Sequence, residues 1–299
     1  MTLEQAHLFS QGWAFVVALC VGSFMNVCIA RMPEDRSVAY PPSHCPSCGA
    51  GIRWFDNVPV LSWVLLRAKC RACKSPISPL YPAIELLVGC LGLLLFRQLV
   101  PSPAELTLGH FAAWSVYLTF IGMLVATTYI DLRHYIIPDQ FSVYAAPFGV
   151  LAAVGLGALG FDGGPSWREA VVGAVIGAAT PLSILLAYKL LRGEDGMGYG
   201  DVKLLGMIGA FLGPWPTLAV VMIGSIFGSI IGIGLMITQG RGFRTQLPFG
   251  PFLAVGGIIV LFFSDTLLAR WLPGLGLGAY GGSMTPTAKA LPSVAATKR

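Results

Sequence analysis

Residues 111–130, FAAWSVYLTFIGMLVATTYI, decide the fold class because they run for twenty positions without a charge. A helix of about 20 apolar residues matches a hydrocarbon core about 30 Å thick. Comparable runs recur along the chain, and the sequence predicts eight apolar spans, at 12–30, 82–100, 111–130, 139–158, 168–191, 203–213, 216–238 and 249–272. The sixth is short and stops before Pro214, so the number of spans depends on it. We expect an all-α polytopic membrane protein with about eight transmembrane helices.

The composition excludes an ordinary soluble domain. Of 299 residues, 55% are hydrophobic and 11% charged, whereas about a quarter of a soluble domain is charged. The alternating pattern of a membrane β-barrel is not seen in the sequence. The net charge of +5 is typical of loops that face anionic membrane lipid. Because the sequence has neither a phosphate-binding motif nor a nucleic-acid type of basic run, we expect lipid and no nucleic acid as a partner.

Basic residues predict the orientation of the chain. They concentrate between the first two spans, at Arg31, Arg36, Arg53, Arg67, Lys69, Arg71 and Lys74. The positive-inside rule places that segment in the cytoplasm and the N-terminus outside. We therefore divide the chain into a first transmembrane helix, a cytoplasmic segment, a transmembrane core and a tail that we expect to be disordered, at 1–30, 31–81, 82–272 and 273–299.

Four cysteines give the cytoplasmic segment a metal-site pattern. Cys45 and Cys48 form one C-x2-C pair, and Cys70 and Cys73 form a second after a 21-residue spacer. Two such pairs supply four thiolates to one tetrahedral Zn²⁺. Two disulfides or four unrelated thiols are the alternatives, and a cytoplasmic location disfavours stable disulfides. We expect a structural zinc ion, because four cysteine ligands leave no open position for water.

Two aspartates lie where apolar spans begin or end. Asp131 ends the third span and Asp201 enters the sixth, at the same predicted face of the membrane. Ionisable groups at membrane level are costly and usually functional. A carboxylate pair suits peptide hydrolysis, in which one ionised group deprotonates water and its protonated partner donates to the scissile carbonyl.

Residues beside the two aspartates fit a site that admits a peptide. We expect Gly198 and Gly200 to allow positive φ and a close approach of substrate backbone to Asp201. Pro138 should interrupt the helix just beyond Asp131.

Physical reasoning alone leaves other interpretations open. Asp201 could cap a helix, Asp139 could cap the fourth span after Pro138, and Asp131 could pair with Arg133. A transporter with an ion-binding pair of aspartates would also place carboxylates at this depth. A membrane scaffold organised by the cysteine pairs is a third possibility.

Motifs over about residues 20–255 carry a family resemblance. The GYGD motif at 198–201 and IDLRHYIIPD at 130–139 are accompanied by GSFMNV at 22–27, DNVP at 56–59 and both cysteine pairs. Together they resemble the type IV prepilin peptidase family of GxGD aspartyl intramembrane proteases.

The resemblance implies a bifunctional enzyme of the bacterial inner membrane. Such an enzyme cleaves the leader of prepilins and type II secretion pseudopilins after Gly at the cytoplasmic face. It then methylates the new N-terminus with S-adenosylmethionine as methyl donor. By motif position the catalytic pair is Asp131 and Asp201, with Asp139 in a supporting role. Lys69 corresponds to a lysine implicated in methylation, and Ala68 stands where the family has Gly.

Overall fold

The structure, a computed structural model, describes residues 2–193, 198–239 and 247–271. In these ranges the regular elements are helical, and the α-helices are α1 Leu3–Arg31, α2 Leu61–Leu65, α3 Leu80–Leu99, α4 Leu108–His134, α5 Ala145–Ala158, α6 Trp167–Arg192, α7 Tyr199–Leu212, α8 Pro214–Gln239 and α9 Gly250–Trp271. The tail at 273–299, predicted to be disordered, lies outside the described residues.

Each of the eight predicted spans coincides with one helix, and α2 is an additional short helix of the cysteine segment. Among the described residues, six stretches are long and apolar enough to cross a membrane, at Leu3–Glu34, Leu80–Leu99, Leu108–His134, Asp139–Ala158, Trp167–Arg192 and Pro214–Thr238. The apolar part of α9, Gly250–Ser264, is shorter, and α7 has 14 residues. The all-α, multi-pass architecture is confirmed, whereas the count of eight crossings stays a prediction.

The connection after α4 differs from the sequence prediction. Pro138 does not interrupt a helix, because α4 has already ended at His134, where Tyr135 takes a left-handed φ of 56°. A left-handed residue stops a helix by turning the chain out of its path. Pro138 then leads into a short 3-10 helix, Asp139–Phe141. The next α-helix begins at Ala145 and not at residue 139, with Tyr144 at its N-cap, so Asp139 does not cap it.

Glycines bring α6 and α7 into direct backbone contact. A Cβ on Gly173 would collide with the carbonyl oxygen of Gly209, and a Cβ on Gly209 would collide with that of Gly173. Without a hydrophobic driving force in lipid, small residues let helices gain attraction by close approach. This contact fixes the position of α7, which carries Asp201.

Helix α4 is the centre of the bundle. In its most apolar window 67% of residues are buried inside the protein, against 17–44% for the other candidate spans. It packs against α1, α3 and α9. Trp114 donates its indole N–H to the carbonyl of Gly92 at 2.9 Å, and Phe120 stacks on Phe211 of α7. The helix that ends in Asp131 is therefore held on several sides.

Candidate active site and metal site

Asp131 lies in the last turn of α4 and is 5% exposed. Its carboxylate faces the first residue of α9. A Cβ built on Gly250 would lie only 2.5 Å from Oδ2 of Asp131, so the backbone of Gly250 lies directly beside the carboxyl group, where it favours the ionised form. The N-terminal end of a helix carries partial positive charge that favours an anion. Gly250 thus gives the carboxylate a backbone partner that any larger residue would push away.

Asp201 lies in the first turn of α7 and is 7% exposed. Gly198 occupies the N-cap of α7, so Asp201 is not the capping residue. The charge of Asp131 acts on Asp201 electrostatically, which places the two carboxyl groups in one site. The structure thus brings together two acids that lie 70 positions apart in the sequence.

The glycines of the GYGD motif provide space and not unusual backbone angles. The expectation of positive φ is wrong, since Gly198 has φ of −78° and Gly200 is helical. A Cβ on Gly200 would lie 3.2 Å from side-chain atoms of Ile137. A Cβ on Gly198 would be 4.0 Å from Oδ2 of Asp201. Glycine at these positions keeps the approach to Asp201 open and lets Ile137 pack beside it.

Ile137 and Gly250 were not singled out from the sequence. The terminal carbon of Ile137 would lie 3.1 Å from a Cβ on Gly250, and the same side chain lines Gly200. Ile137 therefore forms an apolar wall between α7 and α9, beside both acids. In the sequence, the sign of a role for Ile137 was its position in the motif between Asp131 and Pro138. The sequence alone does not show which side chain of that motif points into the site.

Asp139 takes part in an ion pair at the edge of the site. Its Oδ1 lies 2.7 Å from Nζ of Lys203, with both side chains about half exposed. Exposed pairs of this kind contribute about 0–1 kcal/mol. Arg133 lies over the ring of Tyr129, 5.5 Å from its centroid. The surroundings of Asp139 indicate a positioning contact for α7 and not a third buried acid.

The four predicted cysteines come together. Their sulfur atoms all lie within 4.8 Å of one another, and those of Cys45 and Cys73 are 3.8 Å apart. Four thiolates bound to zinc at about 2.3 Å in a tetrahedron are separated by about 3.8 Å. The donor set and its spacing therefore fit one tetrahedral metal ion.

The two cysteine pairs are built by the same turn. The amide of Gly49 donates to the carbonyl of Cys45 at 2.9 Å, and the amide of Lys74 donates to that of Cys70 at 3.1 Å. Gly49 has φ of 72° and Lys74 has φ of 61°. Each turn directs both of its sulfurs to the same side, which is the arrangement of a pair of zinc knuckles.

Hydrogen bonds favour the metal-binding thiolate form at two of the four cysteines, Cys45 and Cys73. At Cys48 a hydrogen bond from the backbone of Ala50 is outweighed by those two neighbouring thiols and by desolvation, which raise the pKa of the Cys48 thiol to about 11. Hydrogen bonds from the backbone of Cys48 and Ser47 lower the pKa of the Cys45 thiol from 9.0 to about 6. The hydroxyl of Ser75, 3.2 Å from the sulfur of Cys73, lowers the pKa of that thiol too. A thiolate is the form in which cysteine coordinates a metal. Ser75, which the sequence analysis did not select, therefore belongs to the metal site.

Two contacts hold the cysteine segment in place. Arg71 donates to both carboxylate oxygens of Asp56, at 2.6 and 2.7 Å, which ties the second knuckle to the loop between the pairs. Buried Glu85 of α3 accepts a hydrogen bond of 2.7 Å from the amide of Val60. Glu85 therefore faces the protein interior and connects the segment to the membrane helices.

Ala68 and Lys69 precede the third cysteine directly. Ala68 has φ of 58°, a left-handed angle that glycine adopts without steric cost. Lys69 is exposed beside Cys70.

Comparison with known proteins identifies the family of the chain. The model of the bacterial peptidase A24 N-terminal domain matches residues 16–99, and the model of the type IV leader peptidase family matches residues 118–233. The first range contains both cysteine pairs and the second contains both buried acids.

Several relatives are similar over most of their length. The prepilin leader peptidase/N-methyltransferase of Aeromonas hydrophila is 37% identical over 282 residues, which cover 86% of this chain and 91% of the relative. The proteins of the same name from Stutzerimonas stutzeri and Burkholderia pseudomallei (strain 1026b) are 34% and 36% identical, with 87% and 84% of this chain and 92% and 84% of each relative covered.

The chain belongs to the type IV leader peptidase family. No solved structure matches it. The names of the relatives do not support the transporter interpretation. Family membership accounts for both chemical regions of the chain. One family model covers the four cysteines, and the other covers the two acids.

Proposed function

We propose that this chain is an intramembrane aspartyl endopeptidase that cleaves the leader of type IV prepilins and type II secretion pseudopilins after Gly. The observation that carries the proposal is the pair of buried carboxyl groups, Asp131 and Asp201, held at one level by three helices. The relatives that match nearly the whole chain are named as prepilin leader peptidases, which supports this substrate class.

The two acids can share the work of peptide hydrolysis. The ionised member takes a proton from a water molecule as its oxygen attacks the scissile carbonyl carbon. The protonated member donates its proton to the carbonyl oxygen, which gives a neutral tetrahedral diol. Collapse of the diol breaks the C–N bond. One diol hydroxyl returns its proton to the second acid as the carbonyl re-forms, and the amine leaves with the proton that the first acid had taken. The open side at Gly198 is where the peptide backbone would approach Asp201.

The orientation follows from the basic loops. We place the chain in the bacterial inner membrane with its N-terminus in the periplasm, because the Lys/Arg-rich segment between α1 and α3 favours the cytoplasm. Helix α4 then runs towards the cytoplasm and delivers Asp131 to that face. The start of α7, with Asp201, lies at the same face.

The second part of the proposal is N-methylation of the new N-terminus, with S-adenosylmethionine as methyl donor. In that reaction the amine attacks the methyl carbon of the sulfonium, loses a proton and releases S-adenosylhomocysteine. Lys69 is the residue that family position associates with this step. Cys45, Cys48, Cys70 and Cys73 would hold a structural Zn²⁺ that keeps the segment folded.

Cleavage of a prepilin by purified enzyme in lipid tests the peptidase. We expect Asp131→Asn and Asp201→Asn each to lower the cleavage rate about 10²–10⁴-fold, the range of a general acid or base. Asp162→Asn, in an exposed loop outside the site, should match the parent. Near-parental cleavage by either of the first two variants would refute the two-acid mechanism.

Metal analysis and methyl transfer test the second activity. We expect about one zinc per chain, and Lys69→Ala should lose methyl transfer while leader cleavage continues at the parental rate. Zinc-free protein, or parental methylation by the Lys69 variant, would contradict these assignments.

A further inference from the structure

Thr127 has a buried hydroxyl without a hydrogen-bond partner. The residue is 0% exposed, and its Oγ1 is one of the few buried side-chain polar atoms of the described residues that no neighbour satisfies. An unsatisfied buried hydroxyl costs about 1–3 kcal/mol. We therefore expect the Thr127 hydroxyl to have a hydrogen-bond partner in the working state of the enzyme.

The other helical threonines whose side chains the structure describes use the ordinary intrahelical partner. Thr128 donates to the carbonyl four residues earlier, that of Leu124, at 2.8 Å. Thr119, Thr180, Thr217 and Thr238 make the same bond, at 2.6–2.9 Å. Thr127 does not. Its hydroxyl is therefore directed away from its own helix backbone.

The residues one turn before and one turn after Thr127 line a seam between α4, α7 and α9. Near one end, a Cβ on Gly257 of α9 would lie 3.1 Å from Leu124 and 3.7 Å from Ile208 of α7. Near the other end, Asp131 meets Gly250 of α9 and Asp201 of α7. Leu124, Thr127 and Asp131 share one face of α4, since their spacing is close to whole helical turns.

Between those two ends the seam is apolar. The side chains that α7 and α9 bury at intermediate positions are aliphatic, namely Leu204, Leu205, Leu253 and Ala254. The next buried carboxyl group along this face of α4 is that of Asp131. Asp131 lies one turn beyond Thr127, about 6 Å between Cβ atoms, and helical side chains lean towards the N-terminal end, which brings its carboxylate back towards Thr127.

We propose that the Thr127 hydroxyl is a positioning donor to the Asp131 carboxylate, which it reaches directly or through one water molecule. This inference rests on the peptidase function proposed above. With the backbone of Gly250 as a partner at one position, a second donor at Thr127 would fix the plane of the carboxylate. Its free oxygen would then point at the attacking water. Thr127 touches no substrate atom in this scheme and acts only through Asp131.

The test compares two adjacent threonines. Cleavage kinetics would be measured in lipid for Thr127→Val and for Thr128→Val, both of which replace a hydroxyl by a methyl group of similar size. Thr127→Val should lower kcat about 10- to 100-fold, the effect of losing a hydrogen bond to a charged group, with KM within about twofold. Thr128→Val, whose hydroxyl serves only its own helix, should keep kcat within about twofold.

Restoring the hydroxyl separates positioning from packing. Thr127→Ser returns the donor but not the methyl group, so it should recover kcat to within about threefold of the parent. Thr127→Ala makes the same hydroxyl deletion if the valine variant folds poorly. Equal kcat values for the valine variants at 127 and 128, or a serine variant as slow as the valine variant, would overturn the inference.

The proposed function can fail separately. Asp131→Asn measured beside these variants reports on the two-acid mechanism itself. If Asp131→Asn cleaves normally, the two-acid mechanism is wrong, and if the parent protein does not cleave a prepilin, the peptidase function is wrong. If only the threonine comparison fails, the function stands and Thr127 is a packing residue.

Discussion

The two chemical regions of this chain are stabilised in different ways. Asp131 and Asp201 are positioned by long helices that contact through glycine, as at Gly173 and Gly209. The segment between α1 and α3 contains only short elements, namely the five-residue helix α2, two 3-10 helices of three residues and turns closed by a few backbone hydrogen bonds. Helix packing orders the first region, whereas the order of the second region depends on the metal ion that its four sulfurs would bind. Disturbing helix packing should therefore remove cleavage, and removing metal should unfold the segment alone.

Separation of α6 from α7 should have the largest effect. Gly209→Val would force a branched side chain into the backbone of α6 and displace the helix that carries Asp201. We expect cleavage in lipid to fall below detection. Gly155→Val is the matched control, because a side chain there meets nothing within 4 Å. Parental cleavage by the Gly209 variant would show that α7 is not positioned by this contact.

Loss of metal should come next, and it should be confined to the cysteine segment. Cys45→Ser removes one of four ligands, so we expect zinc content to fall from about one per chain to near zero. Backbone amides between α1 and α3 should then exchange hydrogen faster while those of α4 and α7 stay protected. Equal loss of protection in both regions would contradict their independence.

Acid should have the same effect as Cys45→Ser. Zinc binds cysteine only as the thiolate, so protons compete with the metal for the four sulfurs. Without metal, backbone hydrogen bonds from Cys48 and Ser47 lower the pKa of the Cys45 thiol from 9.0 to about 6, which favours the thiolate at neutral pH, whereas the pKa of the Cys48 thiol is raised to about 11. We expect zinc retention at pH 7.5 and progressive release on acidification, followed with a zinc-sensitive dye. Zinc held unchanged in strong acid would contradict this account of the site.

Glu85 tests the connection between the two regions. Glu85→Ala removes the acceptor of the Val60 amide, and Val60 has a φ of 61° that is unfavourable for a branched residue. We expect a loss of about 1.5–3 kcal/mol in attachment of the segment, seen as faster exchange at residues 57–66. Glu85→Gln keeps an acceptor oxygen and should lie close to the parent. Identical exchange for both variants would show that the contact does not hold the segment.

The smallest expected effect is a gain. Ala68→Gly relieves a left-handed backbone angle, offset in part by the greater freedom of glycine when unfolded, and should stabilise the segment by about 0.5–1 kcal/mol. Ala50→Gly, in the first knuckle at a position without positive φ, should give no gain. The denaturant midpoint for zinc release would measure both. A destabilised Ala68 variant would contradict the assigned angle.

Features that repeat along the sequence could be predicted, and features that depend on spatial neighbours could not. Apolar runs gave the helical membrane class, and the C-x2-C spacing identified four sulfurs that do come together. The expectation of positive φ at Gly198 and Gly200 was wrong. At Gly200 the close approach of Ile137 requires space and not an unusual backbone angle. Pro138 was assigned a helix break that Tyr135 makes first.

Residues from distant parts of the chain escaped the sequence analysis. Gly250 lies 119 positions after Asp131 and is next to it only once α9 packs against α4. Lys203 lies 64 positions after Asp139 and forms an ion pair with it at the edge of the site, and the supporting role of Asp139 stays a prediction. No periodicity or spacing in one sequence encodes these contacts.

The central claim is that Asp131 and Asp201 act as one catalytic unit, and a double-mutant cycle tests it most directly. Single-turnover cleavage of a prepilin would be measured for Asp131→Asn, Asp201→Asn and the double variant in the same lipid. If the acids act together, the double variant is no slower than the slower single variant, because removing either acid already abolishes the shared step. Rate losses that multiply, or one single variant that keeps the parental rate, would contradict the claim.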